Sequence, residues 1–158
     1  MAEFIGRHTE PRRLTLEEVR DEGLVFCLDK PLEWTSYNLV AKVKFPLLRR
    51  LRQKKLKVGH AGTLDPLATG VLLVCTGRAT KLVEELQAGK KEYIATIKLG
   101  ATTPSFDLEH EIDCIYPTEH ITHEGVERVL AQFVGRIEQV PPAFSACKVQ
   151  GKKAYDLA

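Results

Sequence analysis

Apolar residues fall along this chain in short blocks separated by charged or Gly/Pro-containing stretches. The first 22 residues are dominated by charge, with apolar spacing only at Leu14, Leu16 and Val19. They read as an extension with a short helix from Thr15. Leu24-Val25-Phe26-Cys27-Leu28 is a continuous apolar run closed by Asp29-Lys30-Pro31. It predicts a buried strand that Pro31 stops. Thr35 or Ser36 can cap a helix carrying Leu39, Val40, Val43 and Leu47, which Pro46 should kink or end. Val71-Leu72-Leu73-Val74-Cys75 predicts a second buried strand. Ala79, Leu82, Val83 and Leu86 then fall on one face of a helix closed by Gly89.

Beyond Gly89 the period changes. Tyr93, Ala95, Ile97 and Leu99 alternate with more polar neighbours, which predicts a strand with those four on one face. Residues 100 to 120 are rich in Thr, Pro, Asp, Glu and His and predict a loop, with a short strand near Ile112 to Tyr116. Val126, Val129, Leu130 and Phe133 form the apolar stripe of another helix, capped by Thr122 and followed by Gly135. Pro141 and Pro142 break the chain before a strand at Phe144 to Val149, and a last helix is expected from near Lys152. Strands and helices mix without strict βαβ alternation, so the fold class is α+β. There is no internal repeat, low-complexity tract or interdomain linker.

Composition changes this picture little: 158 residues, 44% hydrophobic, 28% charged and net charge +2 suit one globular domain. The distribution of charge is more informative. Arg49, Arg50, Arg52, Lys54, Lys55 and Lys57 crowd into nine residues, either as a solvated helix end or as a surface for a phosphate backbone. Four cysteines, Cys27, Cys75, Cys114 and Cys147, are widely spaced without a Cys-x-x-Cys pair. No zinc site or disulfide framework is indicated, and two of the four sit in apolar runs as core residues. With no apolar signal region and no run of membrane-spanning length, a cytoplasmic location is expected, without membrane association. No pattern specifies an oligomeric state.

The candidate chemistry lies between the first helix and the second strand. Val58-Gly59-His60-Ala61-Gly62-Thr63-Leu64-Asp65-Pro66-Leu67-Ala68-Thr69-Gly70 sets one carboxylate among glycines, threonines, a histidine and a proline. Glycines let a ligand approach the backbone, and Pro66 restricts Asp65 to extended geometry. The strand behind anchors the loop. Taken singly, Asp65 is a turn cap and His60 a turn or solvated residue. The glycine spacing matches neither the Walker nor the dinucleotide pattern, which argues against a nucleotide-phosphate loop.

The string from Gly59 to Gly70 closely resembles the signature of the TruB family of tRNA pseudouridine synthases. Three further pieces resemble the family in the same order: Leu28-Asp29-Lys30-Pro31 with Thr35-Ser36; Lys91-Glu92-Tyr93 leading to Leu99-Gly100; and Pro141-Pro142-Ala143-Phe144-Ser145-Ala146 through Lys148, Gly151 and Tyr155. The resemblance implies a mixed, largely antiparallel sheet flanked by helices, present in part, with residues 1–22 as an extension and 23–158 as the N-terminal portion of the catalytic domain. It implies isomerisation of a uridine in the T-loop of tRNA, at position 55, with no cofactor and no metal. Asp65 maps onto the catalytic aspartate, acting either as a nucleophile or as a base on the ribose. His60 maps onto a histidine that enters the T-loop as the target base leaves, and Tyr93 onto the tyrosine that stacks on the flipped uracil. Lys30 and Pro31 map onto a pair that supports this tyrosine and borders the cleft. Without the resemblance, Tyr93 is a core residue and Lys30 a strand-end charge. Gly62 and Thr63 belong to the matched signature, whereas Lys148, Lys152, Lys153 and Tyr155 match positions near an RNA-facing rim.

The chain also departs from the family pattern. After Leu99-Gly100 the family's closing glycine is missing, although Asp107 is kept, so this loop's shape is open. His110, His120 and His123 lie nearby but lack a cysteine or carboxylate at ligand spacing, so solvated histidines are expected rather than a metal site. The stretch that carries the arginine partner of the catalytic aspartate, and a nearby lysine, has no match here; nor has a C-terminal RNA-binding module. The expectation is therefore the first half or so of a catalytic domain, weakly active or inactive alone. A buried Asp65 beside His60 and Tyr93 favours an enzyme, and the alternative is a non-catalytic tRNA-binding or tRNA-folding module.

Overall fold

The two central apolar runs pair with each other. In the computed structural model, which describes residues 2–139 and the backbone of Lys148–Val149 and Lys152–Lys153, strand β2 (Leu24–Lys30) lies antiparallel to β4 (Gly70–Thr76). Strand β1 (Glu3–Ile5) joins the outer edge of β2 in parallel, and β3 (Val58–Ala61) joins β4 antiparallel. The four-stranded order is β1-β2-β4-β3, a mixed and largely antiparallel sheet. Helix α1 (Ser36–Arg50) packs on one face and helix α2 (Val83–Ala88), with the 3-10 turn Gly77–Leu82 before it, belongs to the other. The expected α+β class holds. The chain divides into two compact units, Met1–Glu92 and Tyr93–Ala158.

In the first unit the pleat sorts the core. Leu72 and Val74 meet Leu39 and Val40 of α1, with Phe26, Leu28, Trp34, Val58 and Leu64 around them. Val25, Cys75 and Ala79 form the core of the opposite face. Both strands alternate more than their unbroken apolar runs implied: Cys27 and Val71 are exposed on the face away from α1. Thr35 caps α1 through a reciprocal pair with Asn38, its hydroxyl accepting the Asn38 N–H at 3.1 Å. Of the two outcomes expected at Pro46, a kink or an end, the end does not occur, for α1 runs four residues further to Arg50. Leu47 and Leu48 pack beside Val19, Leu24 and Leu56, and this burial holds the last turn. Pro46 itself is exposed, so the carbonyl it leaves without an intrahelical donor sits on the solvent side.

The stretch read as an extension contributes to the same unit. Besides β1, it supplies a widened helical turn, Glu17–Gly23, in which Val19 is fully buried. Arg12 bridges Glu3 of β1 and Glu18 of this turn. The Glu18 carboxylate also accepts the Thr15 N–H while Thr15 Oγ1 accepts the Glu18 N–H.

The second unit holds a two-residue pair of strands, β5 (Ala101–Thr102) with β6 (Cys114–Ile115), then helix α3 (His123–Leu130) capped by Thr122. The loop left open between them is built on Asp107, whose carboxylate accepts from Ser105 Oγ at 2.6 Å and Glu109 N at 2.9 Å. Two expectations fail here. Residues 93–98 form no strand, because their alternation sets a face but no described backbone pairs with them. The helix expected from Lys152 is replaced at its start by strand β8 (Lys152–Lys153), antiparallel to β7 (Lys148–Val149). The apolar stripe of α3 is exposed at Val129, Leu130 and beyond at Phe133. Pro141, Pro142 and residues 144–147 of the predicted strand lie outside the described residues.

Two outcomes are expected from this packing. Gly77 has φ +50, and a Cβ there would lie 2.1 Å from the Arg20 carbonyl oxygen. Gly77→Ala should therefore cost about 3 kcal/mol, from backbone strain plus overpacking. At Gly89 the nearest atom would be 3.4 Å away, so Gly89→Ala is the control. Equal thermal midpoints for the two variants would contradict the argument. Hydrogen bonds from the Thr15 backbone and hydroxyl, and from Arg12, lower the Glu18 carboxyl from 4.5 to about 2. The folded-state pKa is depressed, so its contribution is complete above about 4.5 and is lost as pH falls through about 2. An NMR titration of Glu18 with a midpoint near the ordinary value would refute it.

Candidate active site

The Asp65 loop links β3 to β4, and its backbone is held from below by the turn that starts α1. Because Thr35 serves as the cap, Ser36 is free for another task, and it is buried. Its hydroxyl accepts the Leu64 N–H at 3.0 Å and donates to the Leu64 carbonyl at 3.1 Å. The Leu64 side chain meanwhile packs into the α1 core. Two residues further, the Pro66 carbonyl accepts the Glu33 N–H at 2.8 Å. Glu33 reaches it from a left-handed backbone conformation, φ 64.

Lys30 completes this support. Its side chain is fully buried, at 0% exposure, at the end of β2. Nζ donates to the carbonyls of Trp34 at 2.6 Å and Pro31 at 2.9 Å, with a longer contact to Pro66 at 3.4 Å. A lysine has three N–H donors and no acceptor, so three carbonyls match it in number. Among the described residues it has no carboxylate partner. Reading Lys30 as a strand-end charge is thus corrected: it is an interior tie between the β2–α1 turn, Pro31 included, and the Asp65 loop.

Above this support the Asp65 carboxylate faces outward. Asp65 is exposed, which corrects the expectation of a buried acid. Its own carbonyl accepts the Ala68 N–H at 3.0 Å, closing the turn after it. Thr63 is exposed as well. Gly62 has φ +98, a conformation that favours glycine, and a Cβ there would meet nothing within 4 Å. The loop therefore presents an acid and an open stretch of backbone on a rigid base.

His60 lies in β3 rather than in the loop, opposite Val74 and so on the face that carries α1. Its Nδ1 hydrogen-bonds the Gly62 carbonyl oxygen, which turns the ring toward the loop. The first unit thus brings together Lys30, Pro31, His60, Gly62, Thr63 and Asp65. Tyr93 belongs to the second unit and is 68% exposed, not a core residue. Lys148 lies in β7 opposite Lys153, and Tyr155 lies outside the described residues. Among the described residues no group of three His, Cys, Asp or Glu side chains could hold a metal ion, and no helix is long and apolar enough to cross a membrane.

Ser36 and Glu33 are the supporting residues that reading the sequence missed. Two adjacent hydroxyl residues at a helix start, of which only one can be the cap, were the available signal for Ser36. Glu33 acts through its backbone, which residue type does not reveal.

The fold thus presents one class of candidate site, an exposed acid on a loop tied through its backbone to the start of α1 and carried by a mixed sheet. The comparisons make the class specific. Residues 49–158 match the family described as TruB family pseudouridylate synthase (N terminal domain), more than two thirds of the chain. The chain belongs to that family. It is 67% identical over 137 residues to tRNA pseudouridine synthase B of Phocaeicola vulgatus, covering 87% of this chain and 58% of the relative. The Bacteroides fragilis protein of the same name is 66% identical over 137 residues, 87% of this chain and 59% of its own length. That of Flavobacterium johnsoniae is 53% identical over 138 residues, 87% of this chain and 60% of its own. The chain thus spans about three fifths of the length of these relatives.

The Lys30 tie can be tested by keeping its volume and removing its donors. Lys30→Met removes the Nζ donor from the part-buried Pro31 and Trp34 carbonyls, while Pro66 keeps the Glu33 N–H, and should cost about 1–3 kcal/mol. It should also speed amide exchange at Glu33 and Ala68, whose N–H groups are bonded to the loop. Unchanged exchange at both amides would show that Lys30 does not hold the loop.

Proposed function

We propose that this chain supplies the N-terminal portion of the catalytic domain, residues 23–158, of an enzyme that converts a uridine in the T-loop of tRNA, position 55, into pseudouridine. The observation that carries the reading is an outward-facing Asp65 on a loop whose backbone is fixed by Lys30, Ser36 and Glu33. The reaction breaks the bond from ribose C1′ to uracil N1, turns the ring and joins C1′ to C5. The C5 proton leaves, and N1 regains a proton. Nothing is oxidised or reduced, so the chemistry calls for no cofactor and no metal.

A stacked uridine hides its sugar from a protein carboxylate, so the nucleotide must first be flipped out at a cost of a few kcal/mol. Asp65 then acts on the ribose, as nucleophile or as base. Its exposure suits a substrate that brings its own covering. The His60 ring, turned toward the Gly62 carbonyl, is positioned beside the loop to fill space that the base vacates. Gly62 and Thr63 offer an open approach to the RNA backbone. Tyr93 is assigned stacking on the flipped uracil, which its exposure permits. Lys148 and Tyr155 are assigned to the RNA rim. A cytoplasmic location belongs to the same proposal and is compatible with action on tRNA.

The competing reading is a tRNA-binding or tRNA-folding module without chemistry. Release of tritium from C5-labelled uridine in a T-arm hairpin, with protein in excess, separates the two. Asp65→Asn should lower release by about 10³-fold or more. Affinity for the hairpin should stay within about threefold. Because the proposal gives this chain only the N-terminal portion of the catalytic domain, hairpin binding without Asp65-dependent release favours the module only if supplying the remaining portion restores none. Binding and release lost together would make Asp65 structural.

A further inference from the structure

The opposite end of the β3–β4 hairpin carries a second charged feature. Just before β3, Lys54, Lys55 and Lys57 meet Lys44 of α1 and Arg20 of the 17–23 turn around a cleft of about 500 Å³. Buried Leu56 is part of its lining. The site is fixed by backbone: the Gly77 N–H, at the end of β4, donates to the Lys57 carbonyl at 2.8 Å. Asp21 pairs with Arg20, Nε and Nη2 each donating at 2.9 Å. None of the four lysines has an ion pair among the described residues. Five cations against one carboxylate leave four charges uncompensated.

We propose that this cleft binds the phosphate backbone of the RNA whose target nucleotide lies at Asp65. The proposal rests on the reading of the Asp65 loop given above. Three separate segments bring the cations together, so the patch is more than a run of charged residues along one helix end. Lys54, Lys55 and Lys57 are exposed, an arrangement suited to a polyanion rather than to enclosing one small anion. Lysines act as point charges that grip phosphates without reading bases. Geometry supplies the link to Asp65. Its loop enters β4 at Gly70, and the cleft borders Gly77, just past the other end. Seven residues of strand separate the two ends by about 20 Å. An RNA held at both must therefore extend about 20 Å beyond the target nucleotide, which a few loop nucleotides alone do not provide.

The test measures binding of the full 158-residue chain to tRNA and to an oligonucleotide of about five residues that carries only the target uridine and its neighbours, from about 50 to about 200 mM salt. A triple variant, Lys54→Gln, Lys55→Gln, Lys57→Gln, should weaken tRNA binding by about tenfold or more and reduce the slope of log affinity against log salt by about 2. Its affinity for the short oligonucleotide should change by less than about twofold. Lys44→Gln, on a different element, should lower the slope by about 1. A control triple, Arg7→Gln, Arg13→Gln, Lys90→Gln, removes the same charge elsewhere and should leave the slope unaltered. Melting curves verify that all variants fold.

Equal losses in the two triples would make the effect one of net charge and overturn the proposal. So would equal losses for the long and short RNAs. Unchanged tRNA binding with lost binding of a polyglutamate peptide would assign the cleft to an acidic protein partner instead. The cleft and the Asp65 reading fail separately. Asp65-dependent tritium release with an unaltered salt slope removes only the cleft, whereas a reduced slope without such release, the remaining portion of the catalytic domain being supplied, removes only the enzyme.

Discussion

The Lys30 side chain is the constraint on which the site depends. An amine buried without partners is costly, so this position is tenable only while backbone carbonyls converge on it. Those carbonyls come from Pro31 and Trp34 in one turn and from Pro66 in another. Satisfying one side chain therefore fixes the separation of two loops that lie far apart in sequence. Ser36 and the Glu33 N–H add to the same joint, and Leu64 roots it in the core. A carboxylate can then stay in water while the backbone beneath it does not move.

This joint also explains what could and could not be read from the sequence. The strands at 24–30 and 70–76, the cap and apolar stripe of α1 and the cap of α3 were legible because each is a local pattern. The role proposed for Asp65 comes from motif resemblance, not from its own residue type. The exposure of Asp65 and the burial of Lys30 were not legible. A lysine ending a strand looks solvated, and the groups that make its burial possible are carbonyls, which every residue has. The exposure of Asp65 follows from the same cause, since the loop is held through main-chain atoms and its side chain is left out of the support.

Pro46 and the segment 93–98 mark the limits of local rules in opposite directions. At Pro46 a breaker was outweighed by burial of Leu47 and Leu48, whose packing offsets one missing hydrogen bond. From Tyr93 a good alternating pattern produced no strand, because alternation specifies which residues share a face and says nothing of the partner. The basic residues are a third case. Six of them are adjacent in sequence, yet the cleft combines three of that run with Arg20 and Lys44, a selection made only by the fold.

On the proposed reading, the two ends of the β3–β4 hairpin divide the energetics of one reaction. At the Asp65 end the RNA must give up stacking, which opposes binding by a few kcal/mol. The open backbone at Gly62 offers little apolar area to offset that loss. Phosphate contacts about 20 Å away are gained whether or not the base is flipped, so they raise affinity without favouring the flipped state by themselves. They become useful to catalysis because paired strands link the two ends of the hairpin. An RNA anchored at the cleft is held with its loop against Asp65, and flipping then proceeds within a formed complex rather than from free solution. On that reading an exposed Asp65 depends on such anchoring more than an acid in a deep pocket would, since its exposure leaves less protein surface around the target.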